Sequence, residues 1–244
     1  MKIFIIFTLI IISNIFPSNF SGGIAIIGQI PKGEFKEEGV PAGFGIDLYG
    51  LWYPVKELGI GINFGGTQYG SSKRQIPFNY FSDLVTITEK TTNNLGYAHL
   101  MFRVMPLQGK IRPYFEGLLG AKFLTTDTEL LNNNCTDNEF TEEYDDCEIA
   151  SSNNAWDNTF SYGVGTGLEI TLVSLDEESN DFSAGILSFF INARYLMGNE
   201  ATYLKEGSIT FSNPEDGPVQ TTFNPSKSKT DILQISIGLH FDFD

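Results

Sequence analysis

The stretch "ILQISIGLHFDFD", residues 232–244, decides how this chain folds. From Leu233 to Phe243 every second residue is large and apolar, and the residues between them are polar or small. A period of two is typical of a β-strand, whose successive side chains point to opposite faces of the sheet. The stretch therefore predicts a strand with one apolar face and one polar face. What lies against the apolar face decides the location of the protein.

The same alternation recurs along the chain. It is clear in "GFGIDLYGLWYP", "LGIGINFGG", "YAHLMFRVMP", "IRPYFEGLLGAKF", "FSYGVGTGLEITL" and "AGILSFFINARYLM", and weaker in the first stretch, "GIAIIGQIP". Short connections, "PVKE", "LQGK" and "SLDEESND", alternate with long ones at residues 68–93, 127–157 and 198–229 and with one of lesser length at residues 32–41. An even strand count with this asymmetry is typical of outer-membrane barrels. We predict an all-β fold: an eight-stranded antiparallel up-and-down transmembrane β-barrel with short periplasmic turns and long extracellular loops.

The first residues predict export. "MKIFIIFTLIIISNIFPSNFSGG" has one lysine, an apolar run and then small or polar residues, as a secretory signal peptide does. The apolar run is too short for a spanning helix. Either Ser18 or Ser21 fits the residue before the cleavage site. We expect a signal peptide at residues 1–21 and one barrel domain at residues 22–244.

Alternation alone also fits a soluble lipocalin-like barrel, whose apolar face lines a cavity for a small apolar ligand. Three features favour lipid outside. The polar face carries charges of both signs and many glycines, which suit a crowded interior. Aromatic residues gather near the strand ends on the apolar face, as membrane girdles do. Closure pairs every backbone group, as lipid requires. We therefore expect the bacterial outer membrane as the location and its lipid as a partner.

The inward charges are the candidate site. We expect a charge network in the barrel interior formed by Asp47, Arg103, Arg112, Glu116, Lys122, Glu169 and Arg194. Paired with one another, these side chains plug the barrel; left unpaired around water, they line a narrow path for a porin-like transport protein. Eight strands leave room for little besides side chains, which favours the plug.

Several other functions fit the sequence poorly. A net charge of -15 leaves no basic stripe for nucleic acid. The two histidines, His99 and His240, both fall on the inward face, so neither reaches a lipid substrate as a catalytic group would. The glycine-rich "GVGTGLE" lies within a strand and opens no helix, unlike a dinucleotide loop. We expect no enzyme, no catalytic residue, no cofactor and no metal.

The only two cysteines, Cys135 and Cys147, flank an acidic loop. In an exported chain such a pair is typical of a disulfide, and free thiols are the alternative. The acidic residues at 137–148 also offer oxygen ligands for Ca²⁺, but their spacing is not that of an EF-hand. A solvated, disulfide-closed loop explains them without metal.

The chain resembles the outer-membrane β-barrel proteins of Bacteroidota-type bacteria. The resemblance rests on "GQIPKGEF" (28–35), "RPYFEGLLG" (112–120), "SYGVGTGLE" (161–169), "RYLMGNEATYLKEGSI" (194–209) and "TDILQISIGLHFDF" (230–243). The transmembrane domain of outer-membrane protein A is similar in strand number and loop asymmetry. The last strand resembles the terminal strand by which the outer-membrane assembly machinery recognises its substrates, although Asp244 follows Phe243 where an aromatic residue usually ends the chain. The resemblance implies that machinery as a partner.

Together these features predict a non-enzymatic integral outer-membrane barrel with a plugged polar interior. Its role is expected to be structural or to depend on interaction through the loops at 127–157 and 198–229, with a loop partner that the sequence does not identify. A narrow pore and a soluble lipocalin-like barrel are the alternatives.

Overall fold

A computed structural model describes residues 19–79, 82–107, 109–132, 148–175, 185–205, 208–212 and 220–243. Residues 1–18, most of the expected signal peptide, lie outside the described residues. So do residues 133–147, which contain both cysteines and nearly all of the acidic loop. The disulfide and the Ca²⁺ alternative therefore remain predictions.

Eight long strands form one closed barrel. They are β1 (Asn19–Pro31), β2 (Gly43–Val55), β3 (Leu58–Asn79), β4 (Ser82–Val104), β5 (Ile111–Asn132), β6 (Glu148–Leu175), β7 (Gly185–Gly198) and β12 (Ile232–Phe243). Each strand pairs antiparallel with the next, and β1 pairs with both β2 and β12 to close the cylinder. The predicted eight-stranded antiparallel barrel is confirmed.

Short elements lie between these strands at the end of the barrel that holds the long connections. Helix α1 (Gly33–Glu37) follows β1. Strands β8 (Glu200–Tyr203) and β11 (Ser226–Lys229) form one small sheet, and β9 (Ile209–Ser212) and β10 (Gln220–Phe223) form another. Within the described ranges, no helix is long and apolar enough to cross a membrane.

The apolar face of the barrel points outward. Along β2, Phe44, Ile46 and Trp52 are exposed, whereas Asp47 and Tyr49 are buried. The last strand follows the same rule, with Ile235, Ile237, Leu239, Phe241 and Phe243 exposed and Gln234, Ser236 and His240 buried. A soluble barrel that binds an apolar ligand needs the reverse arrangement. The lipocalin-like alternative is therefore wrong for this fold.

Two of the expected long loops are instead continuations of strands. Strand β3 runs to Asn79 and β4 begins at Ser82, and they stay paired almost throughout residues 68–93. Pairing of β5 with β6 likewise continues to Leu131 and Glu148 within residues 127–157. These segments carry polar residues at most positions of both faces, the buried Asn93 and Thr126 of the inward face included. Their strands therefore lack the alternation by which the sequence reveals the others.

Inward glycines make room for inward tyrosines. Gly23 pairs with Tyr49, Gly65 with Tyr97, and Gly167 with Tyr114. A Cβ atom on any of these glycines would collide with the ring of the paired tyrosine. The interior of an eight-stranded barrel is only as wide as its side chains, so each large ring needs a residue without a side chain opposite it.

Two glycines of β5 give a direct test of this crowding. A Cβ on inward Gly120 would collide with the backbone of Ala98 and His99, whereas a Cβ on outward Gly117 meets nothing within 4 Å. We expect Gly120→Ala to destabilise the folded barrel by about 1–3 kcal/mol, as overpacking does, and Gly117→Ala to leave it unchanged or more stable. Urea unfolding in lipid vesicles measures both. Equal stability of the two variants would contradict the packing described.

Candidate functional site

The barrel interior is a continuous polar core, and the seven residues predicted for it all point into it. Asp47, Arg103, Glu116, Lys122, Glu169 and Arg194 are buried, and Arg112 is partly buried near the end with the short turns. The closed sheet places all seven within one narrow cylinder. Six of them join one network, whereas Lys122 lies apart.

The upper half of the network connects three strands. Arg194 on β7 binds Asp47 on β2 through Nη1 at 2.9 Å and Glu116 on β5 through Nε at 2.7 Å. Asp47 also accepts hydrogen bonds from Asn63 at 2.7 Å and from the Tyr97 hydroxyl at 2.5 Å. Both carboxylates are thus neutralised by arginine and hydrogen-bonded, which buried charges require.

Arg103 forms the middle of the network. It binds Glu116, its cross-strand partner, through Nη2 at 2.6 Å and Nε at 3.0 Å. Its guanidinium lies between the rings of Tyr49 and Tyr114, 4.4 and 4.3 Å from their centroids. Such stacking favours arginine over lysine, because the planar cation binds two aromatic faces while its edge binds a carboxylate.

The lower half continues to the end of the barrel where β1 begins and β12 ends. Arg103 Nη1 lies 3.9 Å from Glu169, which also pairs with Arg112. Arg112 in turn binds Asp242 at 2.9 Å. Cations and anions therefore alternate along the barrel in the order Asp47, Arg194, Glu116, Arg103, Glu169, Arg112, Asp242.

Lys122 does not belong to the charge network in which the sequence analysis placed it. Its ammonium donates to the backbone carbonyls of Leu196 at 2.9 Å and Thr230 at 2.5 Å. Among the described residues no carboxylate lies within ion-pair distance of it. It ties β5 to the connection before β12 instead. Alternation gives the face on which a lysine lies, but the long aliphatic stem decides what its ammonium reaches.

Three residues at the lower end meet the geometric requirement for a metal site. Ligand atoms of Glu169, His240 and Asp242 all lie within 4.8 Å of one another. However, the guanidinium of Arg112 binds both carboxylates. The Nε2 atom of His240 is hydrogen-bonded to Asp242, and its Nδ1 atom to the Tyr49 hydroxyl, each at 2.8 Å. The arginine already supplies the positive charge there, so these residues fit an ion-pair cluster better than a metal.

Neither histidine forms a Ser-His-acid set within the part of the chain that is described. His99 contacts the Ser161 hydroxyl at 3.0 Å, and no carboxylate completes the group. His240 has an acid partner, but its second ring nitrogen bonds to tyrosine and not to serine. Both rings are buried in the interior. A substrate in the surrounding medium would not reach them.

Several network members were not singled out in the sequence. Tyr49, Tyr97 and Tyr114 lie on the inward face that alternation assigns, together with Asn63 and Asn192. The signal that identifies these tyrosines is the glycine opposite each of them. That signal depends on strand register, which the sequence alone does not give.

An apolar cap closes the barrel above the network. Phe35 of α1 is buried and packs edge-on against Tyr69 at 6.0 Å and Tyr203 at 5.1 Å, measured between ring centroids. Lys205 binds the Glu38 carboxylate and backbone carbonyl, each at 2.8 Å. That hydrogen bond holds the pKa of Glu38 below its ordinary value. The loop after β1 is therefore fastened across the mouth of the barrel.

Comparison with known proteins gives fold likeness only. Neither a protein-family model nor a curated protein matches the sequence. The chain is similar to Ail, the attachment invasion locus protein of Yersinia pestis, at 15% identity over 93% of this chain and 99% of that chain, with a TM-score of 0.37. It is similar to Neisserial surface protein A at 9% identity over 93% and 96%, TM-score 0.34.

A third likeness is to a major outer membrane protein from Thermus thermophilus, at 9% identity over 91% of this chain and 99% of that chain, with a TM-score of 0.35. The barrel architecture described above rests on the strand pairing of this chain itself. The resemblance to Bacteroidota-type barrels stays a prediction.

The network predicts a large cost for removing its central acid. Glu116→Gln removes the carboxylate that Arg103 and Arg194 share, which leaves Arg194 with Asp47 alone and Arg103 with Glu169 at 3.9 Å. We expect a loss of about 3–5 kcal/mol in the free energy of unfolding, because two buried cations then share too little negative charge. Urea unfolding in vesicles measures it. The matched control is Glu200→Gln, whose ion pair with Lys227 is exposed, and which should change stability very little. Equal effects of the two changes would contradict an energetically central network.

The cap predicts a local effect. Phe35→Ala removes the ring that joins α1 to Tyr69 and Tyr203, and core truncations of this kind cost about 3–5 kcal/mol. We expect faster amide exchange in residues 32–42 with little change in the strands of the barrel. Hydrogen-exchange mass spectrometry measures both regions. Phe223→Ala, at an exposed side chain, is the control, and unchanged exchange in 32–42 would disprove the role of Phe35.

Proposed function

We propose that this chain is a non-enzymatic integral barrel of the bacterial outer membrane, sealed inside, which acts through the strand extensions and short elements at its extracellular end. The observation that carries the proposal is the outward apolar face of a closed barrel. In water such a surface would aggregate, since exposed apolar patches of this size mark contact with a membrane or partner. In a bilayer, the hydrocarbon chains of the lipid cover this apolar surface all around the barrel.

The height of the apolar face suits a bilayer. From Leu233 to Phe243 there are ten residue steps of about 3.3 Å, which at a tilt of about 40° span roughly 25 Å, the height of the apolar band of outer-membrane barrels. Trp52, Phe241 and Phe243 lie at one end of it, and Phe64 and Phe160 lie towards the other. Aromatic residues at both limits support a membrane position.

The interior supports a plug over a pore. The charge network runs from Asp47 to Asp242 with each of its own charges bound to an opposite one. Lys122, which lies outside the network, is held by two backbone carbonyls. A water-filled path needs charges that face water, whereas these are buried by one another and by the tyrosine rings. The apolar cap adds a second closure above the network. The narrow pore is therefore the weaker alternative.

A sealed, non-enzymatic barrel acts by binding a partner outside the membrane. The hairpin of β3 and β4 and the paired ends of β5 and β6 extend beyond the apolar belt. Threonine, asparagine and serine are the commonest residues of these extensions, and such residues bind partners through hydrogen bonds and not through apolar burial. The partner is left to experiment.

Export and assembly belong to the same proposal. Strand β1 begins at Asn19, and Phe20 pairs with both Trp52 and Phe243. Cleavage after Ser18 leaves this pairing intact, whereas cleavage after Ser21 removes it, so we favour the first site within the expected signal region of residues 1–21. The terminal strand β12 would present the assembly signal, and it closes the barrel against β1.

Cell fractionation of the full chain tests the proposal. We expect recovery in the outer membrane, a shift in gel mobility between unboiled and boiled samples, and an N-terminus at Asn19. Recovery in the soluble fraction would overturn the membrane location. Planar bilayers then test the plug: we expect no stable conductance from the wild-type barrel, and discrete channel openings would establish the pore instead.

A further inference from the structure

A groove of about 420 Å³ runs along the outer face of the barrel between β2 and β5. Its floor is the cross-strand pair Gly66 and Gly96, and its walls are Ile46 and Phe123. Ile46 pairs with Gly66, and Gly96 pairs with Phe123. Across the four strands β2 to β5, two glycines therefore lie between two large side chains. The groove is within the size range of small-ligand sites, about 300–1,000 Å³.

Packing of the barrel does not require these two glycines. A Cβ atom on Gly66 or Gly96 would come no closer than 3.8 Å to any neighbouring atom, an ordinary contact. The inward glycines differ, since at Gly65 the ring of Tyr97 fills the space. Gly66 and Gly96 therefore shape the outer surface, where glycine otherwise weakens a strand.

The groove has a direction. Two residues further along β4, about 7 Å towards the short-turn end, Ala98 pairs with Ala121 on β5 and with Phe64 on β3. The small floor therefore continues towards the apolar belt between β4 and β5 only. At the other end, the groove is lined by the polar, uncharged side chains of Gln68, Asn94 and Thr125. One end is thus suited to hydrocarbon and the other to the interface.

Charge identifies what fits the interfacial end. The carboxylate of Asp127 lies directly above, where it accepts hydrogen bonds from Asn94 at 3.3 Å, Thr125 at 3.4 Å and Asn153 at 2.9 Å. Among the described residues no cation lies within ion-pair distance of it, because Lys90 pairs with Glu129. An ammonium group suits this position, and an anionic headgroup would be repelled.

We propose that the groove binds one phospholipid, with an acyl chain over Gly66 and Gly96 and a primary-ammonium headgroup of the phosphatidylethanolamine type beside Asp127. The inference rests on the proposed membrane location, since the groove is continuous with the apolar face that lipid would cover. Bulk lipid covers any apolar surface without selection. A lipid that lies between the two walls of the groove and contacts a charged residue exchanges with bulk lipid more slowly, and its headgroup decides whether it binds.

Native mass spectrometry tests the site. The full-length mature barrel is reconstituted in equimolar dioleoyl phosphatidylethanolamine and phosphatidylglycerol vesicles and extracted in mild detergent. We expect one retained phosphatidylethanolamine, preferred by about tenfold, as one charge-assisted hydrogen bond gives. Gly96→Leu should lose the lipid, and Asp127→Asn should lose the preference. Gly117→Leu, at an outward glycine outside the groove that also has open space, should retain both.

Other outcomes overturn the inference. If the wild type retains no lipid, or if Gly96→Leu retains as much as the wild type, the groove is not a lipid site. If the wild type is a dimer and Gly96→Leu is a monomer, the groove joins two copies of the chain. Insertion into vesicles with a heat-modifiable band shows separately whether the membrane location holds, so each failure has its own signature.

Tryptophan quenching gives a second readout that leaves the groove intact. Trp156 is exposed and pairs with Thr125 at the interfacial end, while the other tryptophan, Trp52, lies near the opposite end. In a Trp52→Phe variant, brominated phosphatidylethanolamine should quench Trp156 more strongly than brominated phosphatidylglycerol at equal fractions. Equal quenching by the two lipids would overturn the choice of headgroup.

Discussion

At the proposed membrane location every backbone group has to pair within the protein, because hydrocarbon offers no hydrogen-bond partner. Eight strands meet that need only when β1 closes against β12. Closure also separates two environments, since a period of two then sends one set of side chains to the outer surface and the other into a narrow cylinder. All the polar chemistry of the belt region is thereby forced into the interior, where it has to satisfy itself.

The charges of the interior network neutralise one another because they alternate in sign. Three arginines and four carboxylates follow one another along the barrel, and Arg103 adds two aromatic faces to its carboxylate partner. Breaking such a series is costlier than the net worth of any pair, because the group left behind stays buried and charged. The same crowding explains why inward tyrosines lie opposite glycines. The pairing of charges and the packing of tyrosines against glycines thus both give a barrel that is filled by its own side chains.

The strands of the apolar belt could be predicted from the sequence, because successive residues alternate between an apolar outer surface and a polar interior. The extensions of β3 and β4 could not, since polar residues occupy most positions of both faces and the alternation fades. For the network, the pairing of Arg103 with Glu116 follows from one hairpin, whereas that of Asp47 with Arg194 depends on the completed cylinder. Lys122 shows the remaining limit: its face was predictable, but its carbonyl partners were not.

The closures inside the barrel act in series, and this bears on the choice between plug and pore. Opening the cap formed by Phe35, Tyr69 and Tyr203 exposes the network but leaves every ion pair in place. Opening the network requires several buried arginines to lose their partners together, with nothing in the crowded interior to receive them. A path for solutes needs both events at once. The barrel is therefore better built to hold its outer strands and loops in a fixed position than to conduct.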